Sequence, residues 1–95
     1  MSLFPLGQVV ATPGALQALA DSQQQPAEFL DRHSRGDWGE VDGHDSLAND
    51  RALQDGSRIL SAYRTSLGVR LWIITEAADD AGFRMATTLL LPEEY

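Results

Sequence analysis

Hydrophobic and polar residues alternate most regularly in the last third of the chain, on either side of a short loop. The two runs are residues 57–65 (SRILSAYRT) and 69–76 (VRLWIITE), and the loop between them is Ser66-Leu67-Gly68. Alternation with a period of two is typical of β-strands. A three-residue loop that ends in glycine suits a type I turn followed by a left-handed residue. The pattern therefore predicts an antiparallel hairpin in which Thr65 faces Val69.

This pairing gives the hairpin one apolar face and one mixed face. The apolar face, which we assign to the core, carries Ile59, Ser61, Tyr63, Leu71 and Ile73. The second face is apolar only at its centre, where Leu60, Trp72 and Ile74 lie between charged ends. A sheet that is apolar on both sides is usually covered on both sides. We therefore expect helices over the first face, and either helices or a second subunit over the other. If the helices leave Leu60, Trp72 and Ile74 uncovered, a two-fold related second copy is the simplest cover, and a homodimer is the prediction we favour.

The rest of the chain predicts three helices and two further strands. Thr12 with Pro13 is a good helix start, Asp45 or Ser46 is another, and Gly56 suits a helix end. The expected helices cover residues 13–21, 26–35 and 46–54, and the expected outer strands cover residues 6–11 and 83–91. The predicted fold is α+β in a single domain over residues 1–95. It consists of a short N-terminal strand, two to three helices and a three-stranded antiparallel β-meander.

Charge and composition narrow the classes of function. The net charge is −7, lysine is absent, and residues 21–55 hold nine acidic side chains against three arginines. Such a field repels phosphate backbones, so we do not expect nucleic-acid binding. The absence of cysteine excludes disulfides and thiolate chemistry. No apolar run approaches the ~20 residues that span a bilayer, and the first residues lack the basic start of a signal peptide. A cytoplasmic protein without a membrane anchor is expected.

Residues 32–40 (RHSRGDWGE) form the strongest candidate for a functional patch. The candidate binding residues are Arg32, His33, Arg35, Asp37 and Trp38. A loop with these side chains can bind a partner or a phosphate, or place His33 as a general acid or base. The structural alternative is that Trp38 closes over the core, His33 packs inward and Arg35 stays solvated. The sequence leaves both interpretations open.

No other motif points to chemistry. His44 with Asp42 and Asp45 only faintly resembles a metal cluster, because adjacent loop residues seldom converge on one ion. The chain has no glycine-rich phosphate loop and no local signature of an activated serine. We expect no catalytic residue, no metal and no cofactor.

Four long runs carry a resemblance to a known family. They are residues 4–16 (FPLGQVVATPGAL), 32–40, 59–77 (ILSAYRTSLGVRLWIITEA) and 87–95 (TTLLLPEEY). These runs resemble short proteins carried by bacterial plasmids and phages, whose members usually have no label beyond "plasmid-related protein". The resemblance covers nearly the whole chain. It implies a bacterial cytoplasm and a mobile genetic element, and it implies no activity and no site residue.

Two hypotheses of function follow. The first is a small acidic, non-enzymatic protein-interaction module, for example a DNA mimic that occupies the basic groove of a host defence or replication factor. The alternative is an endoribonuclease toxin of the RelE/ParE type, by analogy of element order alone. That activity would rest on Arg64, Arg70, Tyr63 and His33. The acidic charge weighs against it, because RNA-cleaving proteins of this size are usually basic.

Overall fold

The computed structural model describes residues 2–95. Its elements are β1 (Gln8–Ala11), α1 (Pro13–Ser22), α2 (Pro26–Ser34), α3 (Gly43–Asp55), β2 (Ile59–Arg64), β3 (Arg70–Thr75), β4 (Ala86–Leu90) and a final 3-10 turn (Pro92–Glu94). The predicted α+β class and the predicted order of one strand, three helices and three strands are confirmed. None of the helices in residues 2–95 is long and apolar enough to cross a membrane.

The hairpin of β2 and β3 has the predicted register. Ile59 pairs with Thr75 at one end and Arg64 with Arg70 at the other. The Thr65 amide donates to the Val69 carbonyl at 2.9 Å, which closes the loop. Gly68 has a φ of 83°, a value that glycine adopts without steric cost. The alternating pattern and the turn chemistry were therefore sufficient to fix this pairing.

The sheet differs from the predicted three-stranded meander. It has four strands in the order β1-β4-β3-β2, and β1 runs parallel to β4. Gly7, with a φ of 65°, brings the chain against the start of β4, where a Cβ would lie 2.2 Å from the Arg84 carbonyl oxygen. The meander prediction was therefore incomplete, because the sequence pattern of the four-residue strand β1 does not indicate which strand it pairs with. The last strand is also shorter than expected.

The first helix starts as predicted, and the third starts earlier. The Thr12 hydroxyl accepts a hydrogen bond from the Ala15 amide at the start of α1. At α3 the capping side chain is Asp42, whose carboxylate accepts from the Asp45 amide at 2.8 Å. The expected cap at Asp45 or Ser46 is therefore wrong. The glycine at position 43 hid the true start, because glycine is a poor helix former.

The face assigned to the core is the buried one. Leu71 and Ile73 have no exposed surface, and they pack with α1 and α2 in a single apolar cluster. The other members of that cluster are Ala15, Leu19, Phe29, Tyr63 and Leu89. A second cluster joins Ala52 of α3 to Ile59, Phe4 and Trp38. All three helices therefore supply buried contacts to this side of the sheet.

The opposite face is partly covered by the chain's own C-terminal segment, residues 92–95, which we call the tail. The Tyr95 ring packs edge-on against Trp72 at 5.9 Å, and Arg58 donates to the Tyr95 hydroxyl at 2.6 Å. Ile74 is buried, whereas Leu60 and Trp72 are half-buried. The sequence did not predict this cover. A second copy over the three residues would have to share the face with the tail.

The tail is fastened to the start of α1 by one carboxylate. Glu94 accepts hydrogen bonds from the Thr12 hydroxyl, the Gly14 amide and the Leu91 amide. These bonds, led by the one from Thr12, lower the pKa of Glu94. A carboxylate is also favoured at a helix N-terminus, where the free N–H groups point outward.

Replacing Glu94 with glutamine is expected to release the tail. The amide removes the charge at the helix N-terminus and one of the two acceptor oxygens, so Tyr95 should leave Trp72. Tryptophan fluorescence should shift to longer wavelength, because Trp72 becomes more exposed while Trp38 stays buried. Glu93→Gln, which removes the same charge from the exposed neighbouring residue, is the matched control. Identical emission from both variants would show that Glu94 does not hold the tail.

Candidate functional site

Residues 32–40 begin in the last turn of α2 and continue as a loop along the outer edge of β2. The Ala62 amide donates to the Trp38 carbonyl at 3.0 Å, and the Glu40 amide donates to the Ala62 carbonyl at 2.6 Å. Gly39 has a φ of 74°, and a Cβ there would lie 2.0 Å from the Ala62 carbonyl oxygen. The loop therefore pairs with the sheet edge as a short parallel segment, and glycine is needed for that approach.

The charged side chains of this loop form two ion pairs over a shallow polar cleft of about 270 Å³. Arg32 pairs with Asp37 at 2.7 Å, and its guanidinium lies 4.6 Å from the centre of the Tyr63 ring. Arg64 pairs with Glu40 at 2.9 Å. The hydrogen bond between Arg32 and Asp37 raises the pKa of the arginine and lowers the pKa of the aspartate. The cleft thus neutralises its own charges.

Trp38 closes over the core, as the structural interpretation of the loop requires. The indole is buried against Phe4, and its N–H donates to the Asp50 carboxylate at 3.1 Å. Arg35 is exposed and forms no ion pair with any other described residue. Of the five candidate residues, Arg32, Asp37 and Arg35 therefore remain on the surface.

His33 lies at the centre of a buried chain of hydrogen bonds. Nδ1 is 2.6 Å from the Ser61 hydroxyl, and Nε2 is 2.8 Å from the Thr75 hydroxyl. Thr75 in turn meets Thr87 at 2.7 Å, and Thr87 donates to the Leu6 carbonyl. A carbonyl only accepts, so Thr87 gives its proton to Leu6, Thr75 donates to Thr87, and the Nε2–H donates to Thr75. The chain therefore selects the tautomer with its proton on Nε2, and in the neutral imidazole Ser61 donates to Nδ1.

The environment of His33 favours the neutral form. Burial, followed by the charge of Arg84, lowers its pKa to about 4. The side chain has no exposed surface, and its ring packs against Phe4 and Trp38. This imidazole is placed to hold the core together rather than to exchange protons with a ligand. The serine and threonines at core-face positions were the signal in the sequence that His33 has buried partners.

Arg84 is a buried residue that the sequence did not single out. Its guanidinium donates to three backbone carbonyls, of Ala52, Ser57 and Glu76, at 2.8–3.0 Å. It also lies 5.6 Å from the Phe4 ring centre. Burial lowers its pKa. Arg84 thereby ties α3 to the residue segments just before β2 and just after β3, which no local pattern around position 84 indicates.

The four residues suspected for ribonuclease chemistry do not share one site. His33 and Tyr63 lie on the core face and are buried, and the Tyr63 hydroxyl donates to the Asp37 carbonyl. Arg64 and Arg70 form a cross-strand pair on the opposite face. Within residues 2–95, no three His, Asp or Glu side chains converge as metal ligands. Asp42, from the faint metal cluster, instead caps α3.

No protein-family model, curated protein or solved structure matches the chain.

Proposed function

We propose that this chain is a non-enzymatic protein-interaction module whose acidic helical surface binds a basic surface of another protein. The observation that carries the proposal is that most carboxylates in residues 21–55 are exposed and have no ion-pair partner within residues 2–95. Asp37 and Glu40 are in ion pairs. The other seven are exposed and form no ion pair within residues 2–95: Asp21, Glu28, Asp31, Asp42, Asp45, Asp50 and Asp55.

The distribution of the arginines strengthens this imbalance. Of the three arginines in residues 21–55, Arg32 is neutralised by Asp37, and Arg35 and Arg51 are exposed without an ion pair to any residue in 2–95. They stand against the seven unpaired carboxylates. The helical half therefore presents a negative field that its cations do not cancel. Such a field speeds association with a basic partner and selects against acidic ones. Basic protein surfaces commonly bind nucleic-acid phosphates, so the partner class we infer is a nucleic-acid-binding protein whose groove this surface occupies.

The test compares two triple variants that change the charge equally. Asp21→Asn, Asp31→Asn and Asp45→Asn remove one carboxylate from each helix, and none of these carboxylates accepts a backbone hydrogen bond. The control triple, Glu76→Gln, Asp80→Asn and Glu93→Gln, removes three exposed carboxylates outside the helical half. Both triples have a net charge of −4 instead of −7. Three other carboxylates are kept because they accept hydrogen bonds within the fold. Asp42 accepts from the Asp45 amide, Asp50 from the Trp38 indole and Asp55 from the Ser57 amide.

Each protein serves as bait in a lysate of the native host, and the captured partner is then purified for binding measurements. We expect the wild type and the control triple to bind the partner equally, and the helical triple to bind at least about tenfold more weakly. The affinity should fall with rising salt, and duplex DNA should compete for the same partner. The proposal would be overturned if neither the helical triple nor rising salt lowered the affinity for the partner. Cleavage of RNA by the purified protein would favour the ribonuclease alternative.

A further inference from the structure

The two outer edges of the sheet differ in whether their outward backbone N–H and C=O groups have hydrogen-bond partners. At the β2 edge, the outward backbone groups of Leu60 are bound by the Asn49 side chain, whose Nδ2 donates to the Leu60 carbonyl at 2.7 Å. The Asn49 Oδ1 accepts from the Leu60 amide at 3.1 Å. The outward groups of Ala62 are bound by the backbone of Trp38 and Glu40. This edge offers no free hydrogen-bonding groups at Leu60 or Ala62.

At the other edge, no strand or loop within residues 2–95 pairs with the outer side of β1. The Gln8 and Thr12 amides donate to carbonyls at the start and end of β4, each at 3.0 Å. Because alternate residues of a strand face opposite neighbours, the N–H and C=O groups of Val9 and Ala11 point away from the sheet. β1 is the terminal strand, and Val9 and Val10 remain 44% and 40% exposed. An uncovered edge of this kind is a template for another strand.

We propose that β1 pairs in antiparallel fashion with β1 of a second copy of this chain, about a two-fold axis at Val10. In that register Val9 lies opposite Ala11 of the partner, and each such pair exchanges two N–H···O bonds. The two-fold axis repeats the pair, so four hydrogen bonds form. The two Val10 side chains become direct neighbours, and the two sheets join into one of eight strands.

Two features favour a second copy of the chain as the strand that pairs with the β1 edge: the absence of charged side chains around β1 in the sequence, and a pairing that ends at a dimer. Residues 1–20 contain no charged side chain, although the chain carries a net charge of −7. Two acidic copies can therefore approach along the strand, with the nearby carboxylate of Glu94 bound by Thr12 and Gly14. A charged partner segment would find no ion pair with the side chains of β1. Pro5 and Pro13 bound the pairing segment, since proline donates no ladder bond. The β2 edge is already bound at Leu60 and Ala62, so β1 is the edge we expect to pair, and pairing there ends at a closed dimer.

This inference is independent of the acidic-surface proposal, because it uses an uncharged strand on a different part of the molecule. It also differs from a dimer built on Leu60, Trp72 and Ile74, which the tail partly covers. Val10 shares a face with these residues, and it lies at the far end of the row that runs through Thr88 and Ile74 to Leu60.

Sedimentation equilibrium of the intact chain tests the proposal. We expect wild type to be dimeric at high micromolar concentration. Val10→Lys and Val10→Glu should each be monomeric, since like charges would meet at the two-fold axis, and an equimolar mixture should recover the dimer through the opposite charges. Val9→Pro should associate at least about tenfold more weakly, because it removes two of the four bonds and leaves the bonds to β4 intact. Trp72→Glu should remain dimeric.

Hydrogen exchange gives a second measurement that does not depend on substitutions. The Val9 and Ala11 amides should exchange several-fold more slowly at high than at low protein concentration, while the Gln8 amide should not change. A wild type that is monomeric throughout, a mixture of charged variants that does not dimerise, or a dimer broken only by Trp72→Glu would overturn the proposal. Pairing that appears only with a peptide from a captured partner would assign the edge to a foreign strand instead.

Discussion

Replacing Leu71 or Ile73 with alanine is expected to destabilise the fold by about 2–4 kcal/mol. Neither side chain has any exposed surface, and both pack in the cluster beneath α1 and α2. Truncation loses the transfer free energy of the removed methyl groups and leaves a cavity that the neighbours fill only in part. Small domains are stable by about 5–15 kcal/mol in total, so either change removes a large share. Urea titration followed by circular dichroism gives the free energy of unfolding directly.

Leu67→Ala provides the control for this experiment. Leu67 lies in the turn of the same hairpin and is 64% exposed, so its truncation should change stability by less than about 0.5 kcal/mol. A loss below about 1 kcal/mol for both Leu71→Ala and Ile73→Ala would mean that this face is not the packed one. The sheet would then have to bury Trp72 and Ile74 as its principal core.

The hairpin could be predicted from the sequence because its information is local. Alternation over residues 57–76 fixes which side chains share a face, and Gly68 fixes the register through the turn. The position of β1 could not be predicted in this way. A parallel pairing joins residues about 80 positions apart, and it depends on a close backbone approach at Gly7 that no periodic pattern records.

The candidate loop was predicted in location but not in internal chemistry. Local composition marked residues 32–40, and the structure gives that segment a defined place against Ala62. What each side chain does depends on partners elsewhere in the chain. Trp38 forms a hydrogen bond with Asp50, and His33 forms hydrogen bonds with Ser61 and Thr75. Contacts between distant residues of this kind follow from the tertiary fold, which is why the sequence left both a binding loop and a structural lid open.

The stability of the fold is expected to fall by about 3 kcal/mol between pH 7 and pH 4 through His33 alone. Its pKa is about 4 in the folded chain, against an ordinary value near 6.5. Between these values the unfolded chain binds a proton that the folded chain does not, so stability rises with pH across this window. The contribution is complete above pH 6.5 and is lost as the pH falls towards 4. Each pKa unit corresponds to about 1.4 kcal/mol.

The contribution of His33 to stability is lost in a higher pH range than the contributions of the acidic side chains, so the two can be distinguished. Hydrogen bonds lower the pKa values of Asp37, Asp55 and Glu94, so their contributions are present above the ordinary carboxyl range and disappear as the pH falls through the lowered values. The loss between pH 6.5 and 4.5 should therefore vanish in His33→Gln, even though this variant is less stable overall. His44→Gln, which replaces an exposed histidine, is the matched control. Equal slopes in wild type and His33→Gln would show that the buried chain from Ser61 to Leu6 does not depend on a neutral imidazole. Acid sensitivity would then have to arise from the carboxylates alone.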